Sequence, residues 1–225
     1  MIVKSEGLVL RKIPHKEKSV VVHILTREYG KLGFLVRGMN SKNSKAALYQ
    51  PGMLLDLVFY KSHNQGLATV KEATPISRSA LSPLAGMLQQ IMVEMVIKSV
   101  QEEQADPMVF DYLKKYFLAL PTAKATYFLH AFSIGLSSEL GCAIPLVAHQ
   151  NTAVVAAYEG MILQNTKDRF TSEDILALEQ IENGKNPELN RQQRGLLLHK
   201  ILKYFSLHLT QGKEILGLKV LEQLL

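Results

Sequence analysis

Cysteine is nearly missing from this chain, and hydrophobic segments of the kind that direct a protein into a membrane are missing altogether. Among 225 residues Cys142 is the only cysteine, which excludes an intrachain disulfide and a cysteine-rich zinc site. The first residues, MIVKSEG, lack the apolar core of a signal peptide, and no run approaches the ~18 apolar residues of a membrane-spanning helix. These absences predict a cytoplasmic protein.

The sequence also lacks the motifs by which many enzymes bind nucleotides or activate a nucleophile. It contains no P-loop, no GxGxxG stretch and no cluster of carboxylates. A thiol nucleophile would have to combine Cys142 with a histidine such as His130 or His149, and Cys142 follows a glycine among apolar residues, a poor setting for a reactive thiolate. We therefore expect a protein that is not an enzyme and that uses no cofactor and no metal ion.

Positive charge is concentrated in the first third of the chain. Residues 1–78 contain thirteen Lys and Arg against five Asp and Glu, a net charge of +8, whereas the whole chain carries +6. The remaining residues therefore carry −2. A basic segment joined to a nearly neutral one indicates an acidic partner, and nucleic acid is a better candidate than an anionic membrane surface.

A strand and a loop within residues 26–48 carry the most informative cations. Apolar and polar side chains alternate over residues 31–37, which predicts a strand. Residues 38–45 lack any apolar period and are predicted to form an exposed loop. Cations at such a strand end and loop suit a phosphate backbone, and the alternative is a solvated loop without a partner. The cations are Arg37, Lys42 and Lys45.

Short strands with no intervening helix fill the first 75 residues. Five strands in so short a segment favour a small closed barrel over a sandwich, and an OB-fold is the leading interpretation. Nucleic acid binds such barrels mainly on strands two and three and on nearby loops. The predicted DNA-binding residues are Lys31, Arg37, Lys42 and Lys45, followed by Arg11, Lys12 and Lys16.

Aromatic side chains that could stack on bases are sparse in this segment. Phe34 alternates with Leu32 and Val36 and is predicted to belong to the barrel core. With few stacking platforms and many cations, we expect backbone electrostatics to outweigh base readout. The expected binding has weak sequence preference and strong salt dependence.

Helical periodicity begins after a junction near residue 78. Three apolar stripes between residues 84 and 140 predict three helices packed as one bundle, and later helices are predicted to start near Thr171 and Asn190. The predicted chain is therefore an α+β multi-domain protein. A five-stranded OB-fold barrel occupies residues 1–78, and an α-helical domain occupies residues 79–225.

Several segments, in their order and spacing, resemble the RecO family of bacterial recombination mediators. The resemblance extends through most of the chain, with a gap near residues 146–170. The segments that carry it are Gly7-Leu8-Val9-Leu10, Leu25-Thr26-Arg27-Glu28-Tyr29-Gly30-Lys31-Leu32, Arg37-Gly38, Ser44-Lys45, Leu48 to Pro51, and Phe132, Leu136, Leu140, Gly141 and Pro145.

The chain departs from the family pattern at two places. Many members carry four zinc-binding cysteines near residues 146–170, where this chain has none, so a degenerate zinc module is expected there. Members often carry arginines just before the residue that matches Phe132, where this chain has Leu129-His130-Ala131. If the arginines of other members help to hold DNA or the acidic tail of single-strand-binding protein, the same contribution is not expected from Leu129-His130-Ala131.

The resemblance implies a function and a set of partners. It implies binding of single- and double-stranded DNA, annealing of complementary strands, contact with the C-terminal tail of single-strand-binding protein, and cooperation with RecR in loading RecA during recombinational repair. It also implies a nucleoid-associated protein of the bacterial cytoplasm. Two alternatives stay open on the residues themselves: a protein-interaction scaffold with weak DNA affinity, and an RNA-binding OB module.

Overall fold

The chain folds into strands followed by helices, which confirms the predicted α+β class. A computed structural model describes residues 1–16, 19–37, 45–61, 66–77, 79–101, 104–122, 125–144 and 170–217. Its strands are β1 (Ile2–Lys16), β2 (Ser19–Thr26), β3 (Gly30–Arg37), β4 (Leu54–Tyr60) and β5 (Ala68–Pro75). Its α-helices are α1 (Pro83–Ser99), α2 (Pro107–Ala119), α3 (Ala125–Glu139), α4 (Ser172–Glu182) and α5 (Arg191–Leu209). Short 3-10 helices cover Lys45–Tyr49 and Leu120–Thr122.

The strands form a closed barrel in the order β1-β2-β3-β5-β4. The second half of β1 pairs with β2 and its first half with β4, both antiparallel. Closure is completed by a short parallel pairing between β3 and β5, in which Phe34 lies opposite Ala68. Five strands closed in this order form the OB-fold that the sequence predicts.

Gly7 allows β1 to pair with two strands at once. It lies opposite Thr26 of β2 and Leu55 of β4. A Cβ atom at this position would come within 2.6 Å of Ile24 Cγ2 and 2.7 Å of Leu57 Cδ1. Because packed side chains do not approach so closely, β1 needs a glycine where it lies between β2 and β4.

The barrel core consists of alternate side chains from all five strands. Phe34 and Phe59 are fully buried, with ring centroids 5.0 Å apart and planes at 82°, an edge-to-face contact. This confirms that Phe34 is a core residue. Its companions include Val9, Val22, Ile24, Leu55 and Leu57. The other face of β1, β2 and β3 therefore points away from the core.

Two compact units divide the described chain, Met1–Thr122 and Ala123–Leu225. The first contains the barrel together with α1 and α2, so the predicted boundary at residue 78 falls inside this unit. Two ion pairs join α2 to the barrel within this unit: Arg27, which follows β2, pairs with Asp111, and Lys114 pairs with Glu6 of β1. The third helix of the predicted bundle, α3, falls in the second unit.

The second unit packs α3, α4 and α5 around an apolar core. Ile134, Leu178 and Ile201 are buried members of that core, one from each helix. Capping boxes at Thr171 and Asn190 start α4 and α5, which confirms both predicted helix starts. No helix within the described ranges is long and apolar enough to cross a membrane.

Candidate nucleic-acid interface

The outer face of β1, β2 and β3 brings several of the predicted cations together, and we call it the basic face. Strand register aligns its residues in three rows that run across the strands. The two outer rows contain the cationic positions and the middle row is apolar. The rows are Arg11, His23 and Gly33; then Ile13, Val21 and Leu35; then Lys16, Ser19 and Arg37.

Among the described side chains of this face, those of Arg11 and Arg37 are exposed cations. Ser19 pairs with Lys16 on one side and with Arg37 on the other. Since neighbouring strands lie about 4.8 Å apart, the Cα atoms of Lys16 and Arg37 are separated by about 10 Å. The side chain of Lys16 lies outside the described part of the structure.

An apolar row separates the two cationic rows. Ile13 is 41% exposed, and Val21 and Leu35 are partly exposed. Leu67, which is 42% exposed, lies beside this row over Gly33, since a Cβ on Gly33 would stand 2.8 Å from Leu67 Cδ2 and 3.7 Å from Val21 Cγ1. The glycine leaves room for the leucine to lie over the sheet. Sequence reasoning missed this row, although the alternation in β1 and β2 contains the signal.

The structure places the remaining predicted cations differently. Lys12 pairs with Val22, so it belongs to the opposite face of β1 from Arg11. Lys31 Nζ donates to the carbonyl oxygens of Ile97, at 3.0 Å, and of Val100. Lys42 lies outside the described residues. Lys45 begins the 3-10 helix before β4, and its side chain is not described.

Several other cations of the first unit are engaged with the protein itself. Arg27 donates from Nε and Nη2 to the two carboxylate oxygens of Asp111, both at 2.7 Å. This bidentate contact lowers the pKa of Asp111. Lys61 lies 4.6 Å from the ring centroid of Tyr29. The net charge of residues 1–78 therefore overstates the charge that a ligand would meet.

Carboxylates gather on the other side of the barrel, in a groove of about 470 Å³ that we call the acidic groove. Register pairs Glu6 with Asp56 there, and Ser5 Oγ donates to Glu28 Oε2 at 2.5 Å. Lys4 and Glu72 also line the groove. Because anionic nucleic acid is repelled from such a surface, the basic face is the more favourable of these two sides for a phosphate backbone.

His130 of α3 lies just before Phe132, where members of the RecO family often carry arginines. It is 4% exposed, and its Nε2 lies 3.0 Å from the carbonyl oxygen of Arg194. Burial lowers the pKa of His130 to about 4, so the ring is neutral near pH 7 and supplies no cation. Within the described ranges, no three His, Cys, Asp or Glu residues are grouped to hold a metal ion.

The fold and the basic face define a class of protein: an OB-fold barrel, of the kind that binds oligonucleotides or oligosaccharides, joined to helices. Comparison with known families gives a narrower assignment. A family model described as "Recombination protein O N terminal" matches residues 1–78, the segment predicted as the OB-fold domain. Residues 1–78 thus match the N-terminal domain of the RecO family, and the chain lacks the zinc-binding cysteines that many members of that family carry.

Relatives named "DNA repair protein RecO" support this assignment. The one from Azobacteroides pseudotrichonymphae is 22% identical over 237 residues, which cover 98% of each chain. The one from Bacillus pumilus is 33% identical over 117 residues, half of this chain and 45% of the relative. The one from Chlorobaculum parvum is 38% identical over 86 residues, 38% of this chain and 32% of the relative. The last two matches therefore cover less than half of the relatives' length.

Proposed function

We propose that this chain is a non-enzymatic DNA-binding protein that acts in DNA repair by recombination. The match to the N-terminal domain of the RecO family and the name of the chain's relatives support the repair role. The DNA-binding role is carried by one observation: exposed Arg11 and Arg37 lie in rows across three adjacent strands of an OB-fold. Strands two and three are the part of this fold that contacts oligonucleotides.

Electrostatics on the basic face account for binding both single- and double-stranded DNA. Arginine and lysine neutralise phosphates and release condensed counterions from either form. Two complementary strands screened in this way can approach each other, after which base pairing supplies the specificity. The protein would thus anneal strands by proximity alone, without a reaction of its own.

The partners proposed for this chain follow from the family. They are RecR, the acidic C-terminal tail of single-strand-binding protein, and RecA, which would be loaded with the help of RecR. The proposed location is the nucleoid of a bacterial cytoplasm. No described contact identifies the surfaces these partners would use, so the support is the similarity to that family alone.

A protein-interaction scaffold with weak DNA affinity is the second candidate. One observation favours it: α3 contains no Lys or Arg, and its buried His130 is neutral near pH 7. The second unit therefore offers no cation at this position for DNA or for an acidic tail. An RNA-binding OB module is a third candidate, with the same basic face.

Binding of a fluorescent single strand at several salt concentrations tests these candidates. We expect affinity to fall steeply with salt, with a log–log slope of about −0.7 for each neutralised phosphate. Unlabelled DNA should compete better than RNA of equal length, and complementary strands should then anneal faster with the protein than without it. No binding at low salt would contradict the proposal and favour the scaffold. Stronger competition by RNA would favour the RNA-binding module.

A further inference from the structure

We infer that the apolar row of the basic face contacts the bases and sugars of an unpaired DNA strand, and that it makes the protein prefer unpaired strands to duplex. The row is Ile13, Val21 and Leu35, extended by Leu67. This inference rests on the proposed DNA-binding function. It specifies that the same face binds DNA preferentially in its unpaired form.

The position of the row between cations supports a nucleic-acid ligand over a purely apolar one. Arg11 lies in the row on one side and Arg37 in the row on the other, and both are exposed. Residues of adjacent rows are two apart along a strand, so the cationic rows are about 13 Å apart. A ligand that fits has an apolar centre with negative charge at its margins.

An unpaired strand has this chemistry, and a duplex does not. The faces of unpaired bases and the carbon atoms of their sugars are accessible to aliphatic side chains, while the phosphates reach the cations alongside. In a duplex the base faces are stacked inside the helix and the phosphates lie outermost. A duplex would therefore use Arg11 and Arg37 but gain little from Ile13.

The row replaces the aromatic platforms that many OB-folds present to bases. Phe34 and Phe59 of this barrel are buried in its core and cannot stack on a ligand. Aliphatic side chains offer apolar area without a preference for particular bases. Base faces that lie against them leave the Watson–Crick edges free to pair.

A preference for unpaired strands has a consequence for annealing. When a bound strand pairs with its complement, its base faces are stacked inside the new duplex and the contact with the apolar row is lost. The duplex is then held by phosphate contacts alone, so it dissociates more readily than either strand. The row would thus help to release the annealed product.

Substitutions that keep the strand but remove apolar surface test the inference. Threonine retains β-branching, so the variant is I13T/V21T in the full chain, with Ile2→Thr as the control. Ile2 lies on β1 and is 52% exposed, but it pairs with Tyr60 of β4, away from the basic face. Affinities for a labelled single strand and for the matching duplex are measured at one salt concentration.

We expect I13T/V21T to bind the single strand about three- to tenfold more weakly and the duplex within about twofold of the unsubstituted chain. Ile2→Thr should change neither. In the opposite direction, Ile13→Tyr adds a stacking ring and should strengthen single-strand binding several-fold, with little change for duplex. This second variant keeps the test decisive if the threonine variant folds poorly.

One result would overturn the inference while the proposed function stands. It is salt-dependent DNA binding in which I13T/V21T and Ile13→Tyr leave the ratio of single-strand to duplex affinity unchanged, whether neither affinity changes or both change by the same factor. Absence of DNA binding by the unsubstituted chain would instead overturn the proposed function, and the inference with it.

Discussion

Lys31 on β3 donates a hydrogen bond from Nζ to the carbonyl oxygen of Ile97, 3.0 Å away, at the end of α1. The same ammonium group contacts the carbonyl oxygen of Val100, the residue that caps this helix. The last carbonyls of a helix have no intrahelical donor and carry a partial negative charge. Lys31 therefore fastens α1 to the barrel.

We predict that Lys31→Met destabilises the protein and hardly affects DNA affinity. Methionine keeps the apolar stem but leaves the α1 carbonyls without their charged donor, at a cost of about 1–2 kcal/mol in the free energy of unfolding. Urea denaturation and single-strand binding would be measured on the same sample. A large loss of DNA affinity with unchanged stability would contradict this role.

The stability of the protein should fall as the pH is lowered from 6.5 towards 4 because of His130. Its pKa is about 4 in the folded chain, against an ordinary value of 6.5. Within this window the unfolded chain binds the proton and the folded chain does not, so protonation favours unfolding. Below the folded pKa the group contributes no further loss.

Comparison with His130→Gln isolates this contribution, because glutamine can still donate to the Arg194 carbonyl but does not titrate. Between about pH 7.5 and about pH 5, the unsubstituted chain should lose about 2 kcal/mol more in the free energy of unfolding than the variant. The measurement is urea denaturation at both pH values. Equal losses in the two proteins would show that His130 does not titrate in this way.

A buried ion pair joins α4 to α5, and its two partners should respond unequally to substitution. Asp174 Oδ2 accepts from Lys200 Nζ at 2.5 Å and from the backbone nitrogen of Thr171 at 2.7 Å. The Lys200 side chain is 5% exposed. Asp174→Ala should cost about 3 kcal/mol in the free energy of unfolding, because it leaves a buried ammonium without a partner.

Lys200→Met should cost less, because the Asp174 carboxylate that remains is 16% exposed and still accepts from the backbone nitrogen of Thr171, while methionine fills the buried site of the lysine. The double variant D174A/K200M should accordingly be more stable than Asp174→Ala alone. Urea denaturation of the three variants gives the comparison. A double variant that loses the sum of both single losses would show that the two side chains are not coupled.

Local patterns were enough to predict the elements themselves. Alternation around Phe34 predicted both a strand and a core position, and the polar residues at Thr171 and Asn190 predicted two helix starts. Such features depend on neighbours within a few residues, so the sequence displays them directly. The five-stranded barrel follows from their number and spacing.

Long-range contacts were not predictable in the same way. Lys31 has the sequence neighbourhood of a surface cation, and only the approach of α1, more than sixty residues later, gives it carbonyl partners. The pairing of Arg27 with Asp111 spans 84 residues and draws α2 to the barrel. Strand register likewise decides that Arg11 and Arg37 share a face with Ile13 and that Lys12 does not.

The most direct test of the account is the salt dependence of single-strand binding by R11A/R37A. The matched control is K4A/K115A, which removes the same charge from two exposed positions, one lining the acidic groove and one on α2. We predict a log–log slope about 1.4 units shallower for R11A/R37A, since each phosphate contact contributes about 0.7 on single strands, and little change in slope for the control. Equal slopes in the two variants would contradict the claim that the basic face binds DNA.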